Sequence, residues 1–138
     1  MPRLARALVV VVAAASLAGC ASSVSLQPAK DADDPLCAEV TVRLPATIDG
    51  QERRWTDAQA TGAWGEPGKS TAVILTCGVE PPGPTEARCI TVGGVDWIVD
   101  ESQAPRYLVT SYGRTPAVEV FLDNEVVASN EVLSALGP

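Results

Sequence analysis

The chain has 138 residues, a formal net charge of −7 at pH 7, four cysteines and no histidine. Its length suits one domain, and an acidic chain with only two lysines and one adjacent basic pair, Arg53-Arg54, cannot neutralise a run of phosphates, so nucleic acid is excluded as a partner. Without histidine, neither a Ser-His-Asp nor a Cys-His centre can be assembled, nor a His-ligated zinc site.

Residues 1–19 read as a secretory leader: Arg3 and Arg6 give a positive start, Leu8 to Leu17 is an unbroken small and apolar run, and Leu17-Ala18-Gly19 precedes Cys20. The run is shorter than the roughly 20 residues a spanning helix needs, and no charged stop follows it. Leu17-Ala18-Gly19-Cys20 resembles the lipobox of bacterial lipoproteins, in which a peptidase cuts before a cysteine whose sulfur already carries a diacylglyceryl group. The other reading is ordinary cleavage near Ala13 to Ala15, releasing a soluble protein. Two acyl chains on Cys20 would make a lasting tether, since each buried methylene adds about 0.8 kcal/mol. Losing residues 1–19 removes Arg3 and Arg6 and takes the formal charge from −7 to −9. An anionic headgroup surface repels such a domain, so the lipid provides the attachment and the domain is expected to stand off. Residues 20–34 are then the lipidated cysteine and a flexible spacer, and residues 35–138 a single domain.

Export places the remaining thiols where they oxidise. With Cys20 acylated, Cys37, Cys77 and Cys89 remain, an odd number, so one is left over. A Cys37–Cys77 bridge stabilises by about 4 kcal/mol in the chain-entropy treatment and a Cys77–Cys89 bridge by about 3, too small a difference to choose between them. No Cys-x-x-Cys spacing suggests a metal.

Within the domain, Asp34-Pro35-Leu36-Cys37 is a helix start, with Asp as N-cap and Pro at the first helical position. Leu36, Val40 and Leu44 then share one helical face, although Val40, Val42 and Leu44 also alternate as in a strand. Strands are expected at Arg53 to Trp55, Ala72 to Cys77, Arg88 to Val92, Val95 to Val99, Tyr107 to Tyr112 and Ala117 to Leu122. Trp64-Gly65 reads as a tight bend and Pro81-Pro82-Gly83-Pro84 as a loop, while Gly93-Gly94 suits a type I′ hairpin turn. Asn130 to Leu136 is a short closing helix. The expected class is α+β: a small antiparallel sheet of about four to five hairpin-connected strands packed by the N-terminal helix, with a short C-terminal helix.

The ordered series Leu44-Pro45, Gly50-x-x-Arg53-Arg54, Ala63-Trp64-Gly65, Leu75-x-Cys77-Gly78-Val79, Val92-Gly93-Gly94-Val95-Asp96-Trp97 and Tyr112-Gly113-Arg114-x-Pro116-Ala117-Val118-Glu119-Val120 resembles a family of small exported actinobacterial proteins catalogued only as a domain of unknown function (DUF3515). The resemblance implies an envelope-associated, often lipid-anchored protein with no established activity. It also implies pairing of Cys37 with Cys77, leaving Cys89 as a departure from the family pattern. The Ala-, Val- and Pro-rich, Lys-poor composition fits a high-GC source.

Carboxylate-only hydrolysis would need two acids about 5 to 9 Å apart across a cleft, and no spacing here compels such a pair. Asp96, Trp97 and Arg114 are the candidate ligand-binding residues, with Asp96 and Trp97 suited to a sugar by hydrogen bonding and stacking. Against this, alternation puts Trp97 in the core and Asp96 on the solvent side or on a turn. Arg53, Arg54 and Arg114 either converge on an anion or pair with surface acids. Asp31, Asp33 and Asp34 lack the glycine turn and distal glutamate of a calcium loop. No cofactor is expected. The sequence therefore points to a non-catalytic module on the outer face of the cytoplasmic membrane, held by its lipid, that meets an envelope protein or cell-wall material. The alternative is a small-ligand or glycan-binding module or, less well supported, a carboxylate-type hydrolase.

Overall fold

In the computed structural model, which describes residues 22–137, Asp34 opens helix α1 (Pro35–Val42) by accepting the Leu36 amide on its Oδ1 at 2.8 Å. Only Cys37 of this helix is fully buried, and Leu36 and Val42 are exposed. Eight residues with one buried side chain are too few to hold a helix by apolar burial. The Cys37–Cys77 disulfide, joining residues 40 apart, fixes α1 to the sheet, while Cys89 is an exposed free thiol.

Eight strands follow: β1 (Thr47–Ile48), β2 (Gln51–Arg54), β3 (Thr61–Gly65), β4 (Thr71–Val79), β5 (Cys89–Val92), β6 (Val95–Gln103), β7 (Arg106–Ser111) and β8 (Ala117–Asp123). All pair antiparallel in the order β1-β2-β3-β4-β8-β7-β6-β5, so two four-stranded meanders join side by side through β4 and β8. The registers Val73↔Leu122, Leu75↔Val120 and Cys77↔Val118 carry the core across this seam. Helix α2 (Ser129–Ala135) touches both β1 and β5, the two outer strands, so the sheet curls and α2 lies between its edges. Val132 and Leu133 are its buried face, and Asp49 from the β1–β2 turn accepts the Ala128 amide at 2.8 Å, capping a helix whose own N-cap residue offers no side-chain bond.

The sheet has eight strands where about four to five were expected, which corrects the fold class. The two helices lie close to their expected positions. Each of the six segments read as strands is found, the two strands with no expected counterpart are β1 and β3, and β2 begins two residues before its expected start. The signal for β1 and β2 was present in Asp49-Gly50, whose φ values of 44° and 77° make the same mirror-image turn as Gly93-Gly94 at 60° and 75°. The segment read as a bend at Trp64-Gly65 is β3, buried throughout. Its Gly62 hides it, because a Cβ there would lie 2.7 Å from Leu44 Cδ1 and 2.9 Å from the Trp64 ring, so tertiary crowding selects a poor strand former.

The segment expected as a free spacer is seated on the domain from Val24 onward. Val24 donates to Trp55 O at 2.7 Å and accepts from Asp57 N at 3.2 Å, and Asp31 donates to Gly78 O at 3.0 Å. The Leu26 amide and the Ser25 hydroxyl donate to Asp57 and hold its carboxyl below the ordinary aspartate value. Gly78 has φ 95°, and any Cβ there would run into the backbone of Asp31.

The outer face of the central strands carries half-buried Ile74, Leu108 and Phe121, with Glu119 between Thr76 and Thr110 in the registered rows. Burial raises the Glu119 pKa above its ordinary value. The folded state therefore binds this proton more tightly than the unfolded chain, and the resulting stability is lost as pH rises through the raised pKa. Glu119→Gln should raise the urea midpoint at neutral pH, with the gain shrinking below about pH 4; a lower midpoint at neutral pH would refute this. Replacing both Cys37 and Cys77 by Ala should cost about 4 kcal/mol of unfolding free energy. An unchanged urea midpoint for that double variant would contradict the anchoring role of the bridge.

Candidate functional site

The disulfide holds α1 over one end of the concave face, leaving a cavity of about 390 Å³ between helix and sheet. Leu36, Val40 and the Leu44-Pro45 turn form one wall, and Thr115-Pro116 with Leu136-Gly137 the other. Leu75, Val95, Trp97, Ser111 and Val118 form the floor. The volume lies within the range of about 300 to 1,000 Å³ common for small-molecule sites.

The Gly93-Gly94 turn sets the alternation that sends Val95, Trp97 and Val99 inward. Trp97 lies between Ile90 and Ser111 in register and is 3% exposed. Its Nε1–H is buried with no acceptor, whereas the equally buried Trp64 donates its Nε1–H to Pro45 O at 3.0 Å. An unmet buried donor costs about 1 to 3 kcal/mol, so Trp97 marks a place where an acceptor is missing. Ser111 Oγ accepts the Val118 amide at 2.9 Å.

Three ionisable side chains line this cavity: Glu39 and Arg43 from the α1 segment, and Arg114 from the β7–β8 loop. Arg114 Nη2 donates to Gly94 O at 3.3 Å, joining that loop to the β5–β6 turn and leaving further N–H groups of its fork free. None of the three is in an ion pair among the described residues, where the pairs are Lys69–Glu66, Arg88–Glu101 and Arg106–Asp123. The charged lining is thus two guanidinium groups against one carboxylate. Such a set receives an apolar body that carries an acceptor or an anionic group.

Of the residues expected to bind a ligand, Trp97 and Arg114 meet in this cavity and Asp96 does not. Asp96 is exposed on the opposite face of β6, where its Oδ1 accepts the Thr91 hydroxyl at 2.5 Å and its carbonyl accepts the Tyr112 amide at 2.8 Å. Arg53, Arg54 and Arg114 neither converge on one point nor pair with acids among the described residues. Arg53 Nη1 donates to Leu44 O at 3.1 Å and Arg54 Nη1 to Thr71 Oγ1 at 3.2 Å. No group of three Cys, Asp or Glu side chains suited to a metal ion occurs among the described residues. Cys20 lies outside the described residues.

Sequence reasoning missed Glu39, Arg43 and Ser111. Ser111 had a visible signal, a hydroxyl at an inward position of an otherwise apolar alternation with Val109 and Tyr107. A second depression, of about 460 Å³, is bordered by Arg53, Arg54, Trp55, Thr56 and Thr61 alone. Its lining is arginine, threonine and an exposed indole, so the cavity under α1, lined mostly by aliphatic side chains, is the better site for a small apolar ligand.

No curated protein and no solved structure matches the chain. One family model matches residues 4–136, nearly the whole sequence, and the chain belongs to that family, described as Protein of unknown function (DUF3515).

Proposed function

We propose that this chain is a non-catalytic binding module of an actinobacterial cell envelope. Acyl chains on Cys20 tether it to the outer face of the cytoplasmic membrane, and it takes a small apolar ligand in the cavity under α1. The observation that carries the reading is a preformed, largely apolar cavity whose charged lining includes Arg43 and Arg114, neither of them in an ion pair among the described residues. Burying a ligand there removes apolar surface from water at about 25 cal/mol per Å², and an acceptor on the ligand can take the N–H groups that Arg114 leaves free. Binding rather than catalysis is favoured because Glu39 is the one carboxylate in the lining, with neither a second acid nor a nucleophile–base pair beside it. A small ligand is favoured over a glycan at Trp97, because that indole is buried and offers no open face for stacking.

The tether rests on Leu17-Ala18-Gly19-Cys20 after a positive start and an apolar run. Intact mass of the protein from its native membrane should show a chain beginning at Cys20 and carrying diacylglycerol; a mass without lipid would remove the tether from this account. The pocket is tested with Nile red, an uncharged apolar dye, on the full chain carrying Cys20→Ser. The dye should brighten on binding, and Val40→Trp, which fills the cavity from α1, should abolish the brightening while the thermal unfolding transition stays cooperative. Dye uptake that is absent in the parent protein, or unchanged by Val40→Trp, would refute the pocket.

A further inference from the structure

Trp55 is 78% exposed, the one tryptophan among the three that the core does not cover. It follows β2 directly, and its carbonyl accepts the Val24 amide at 2.7 Å. The incoming chain is clamped at this point by three further bonds, from Asp57 N to Val24 O, Leu26 N to Asp57 Oδ1 and Ser25 Oγ to Asp57 Oδ2. Val24 is four residues from Cys20, a distance the chain spans with at most about 14 Å when fully extended. A lipid on Cys20 therefore draws the neighbourhood of Trp55 to the bilayer surface and leaves no length for the domain to stand off.

We propose that the Trp55 end of the molecule is a membrane-docking surface, with the interfacial zone of the anchoring bilayer as its partner. This rests on the acylation of Cys20 given above and is independent of the pocket. An exposed indole on a soluble face costs free energy in water, whereas tryptophan favours the headgroup level, where its ring is shielded and its N–H stays wet. The charges within three residues of Trp55 in the chain are Glu52, Arg53, Arg54 and Asp57, which balance, and Lys69, whose carbonyl meets Arg54, is paired with Glu66. Arg54 is occupied by Thr71, and Asp57 by Ser25 and Leu26. The indole rather than net charge therefore drives the contact, so docking needs no anionic lipid. Arg53 keeps free N–H groups that can reach phosphate oxygens beside the ring.

The test uses the full-length acylated protein in phosphatidylcholine vesicles, read by tryptophan emission, with Trp64 and Trp97 as a buried background. Lipid brominated near the headgroup end of its acyl chains should quench part of the emission, and acrylamide should lose access to the same part. Both effects should vanish in Trp55→Ala, which alters an exposed side chain and leaves the fold and flotation intact. A protein that floats with the vesicles while its Trp55 emission stays open to acrylamide and untouched by the brominated lipid overturns the docking surface and leaves the anchor standing. A protein that does not float overturns the anchor, and this proposal with it.

Discussion

A single covalent bond decides where helix α1 sits. The helix has no apolar face able to hold it, since Cys37 is its one buried residue and Leu36 and Val42 face solvent. Its bond to Cys77 places it over the end of β4, where Leu75 and Cys77 point inward across from Val120 and Val118. Because Cys37 alone is fully buried and Val40 packs only partly against the core, the helix does not close down on the sheet, and the space left beside it is the cavity. A helix with a broad apolar stripe would have closed down on the sheet and filled that space. The pocket is thus a consequence of holding a weakly amphipathic helix by a point attachment.

The opposite boundary of the cavity depends on curvature. Two meanders joined at β4 and β8 give a wide sheet whose twist brings β1 and β5 to either side of α2. That helix buries Val132 and Leu133 and is capped by Asp49 from one edge, while its C-terminal residues Leu136 and Gly137 reach the cavity. Each edge strand is therefore covered by a helix instead of being left open to pair with another chain. Arg114 adds a local tie, since its bond to Gly94 O fixes the loop that forms the remaining wall.

Much of this was readable where chemistry is local. The Asp34 cap, the Gly93-Gly94 turn and the alternation along β8 each follow from a few adjacent residues, and the structure has all three. The strand count was not readable, because β1 has two residues and β3 contains Gly62, where a Cβ would crowd Leu44 from another part of the chain. Within the candidate site, the inward position of Trp97 could be read from strand period, but its lost hydrogen-bond partner could not. Trp64 and Trp97 are both buried indoles, and only the position of the Pro45 carbonyl makes one satisfied and the other not. Arg43 joined the lining because α1 ends beside the sheet, a tertiary fact with no sequence pattern of its own.

The seated segment ties together the two ends for which a function is proposed. From Val24 at Trp55 the chain runs to Asp31 at Gly78, then to the Asp34 cap and into α1, so one continuous stretch connects the residues nearest Cys20 with the helix that walls the cavity. The first stage is held at the end of β2 and the later ones by neighbouring residues of β4, Gly78 and Cys77. A flexible spacer would have let the domain tumble at the end of its lipid, with its cavity pointing in every direction. A seated one removes that freedom, because the short stretch before Val24 enters at a fixed point on the domain surface. With the anchor in place, the orientation of the cavity toward the bilayer becomes a property of the fold rather than of chance encounter. An apolar ligand drawn from or delivered to the membrane would then meet the opening in a restricted geometry, at a lower entropic cost than a freely rotating domain would impose.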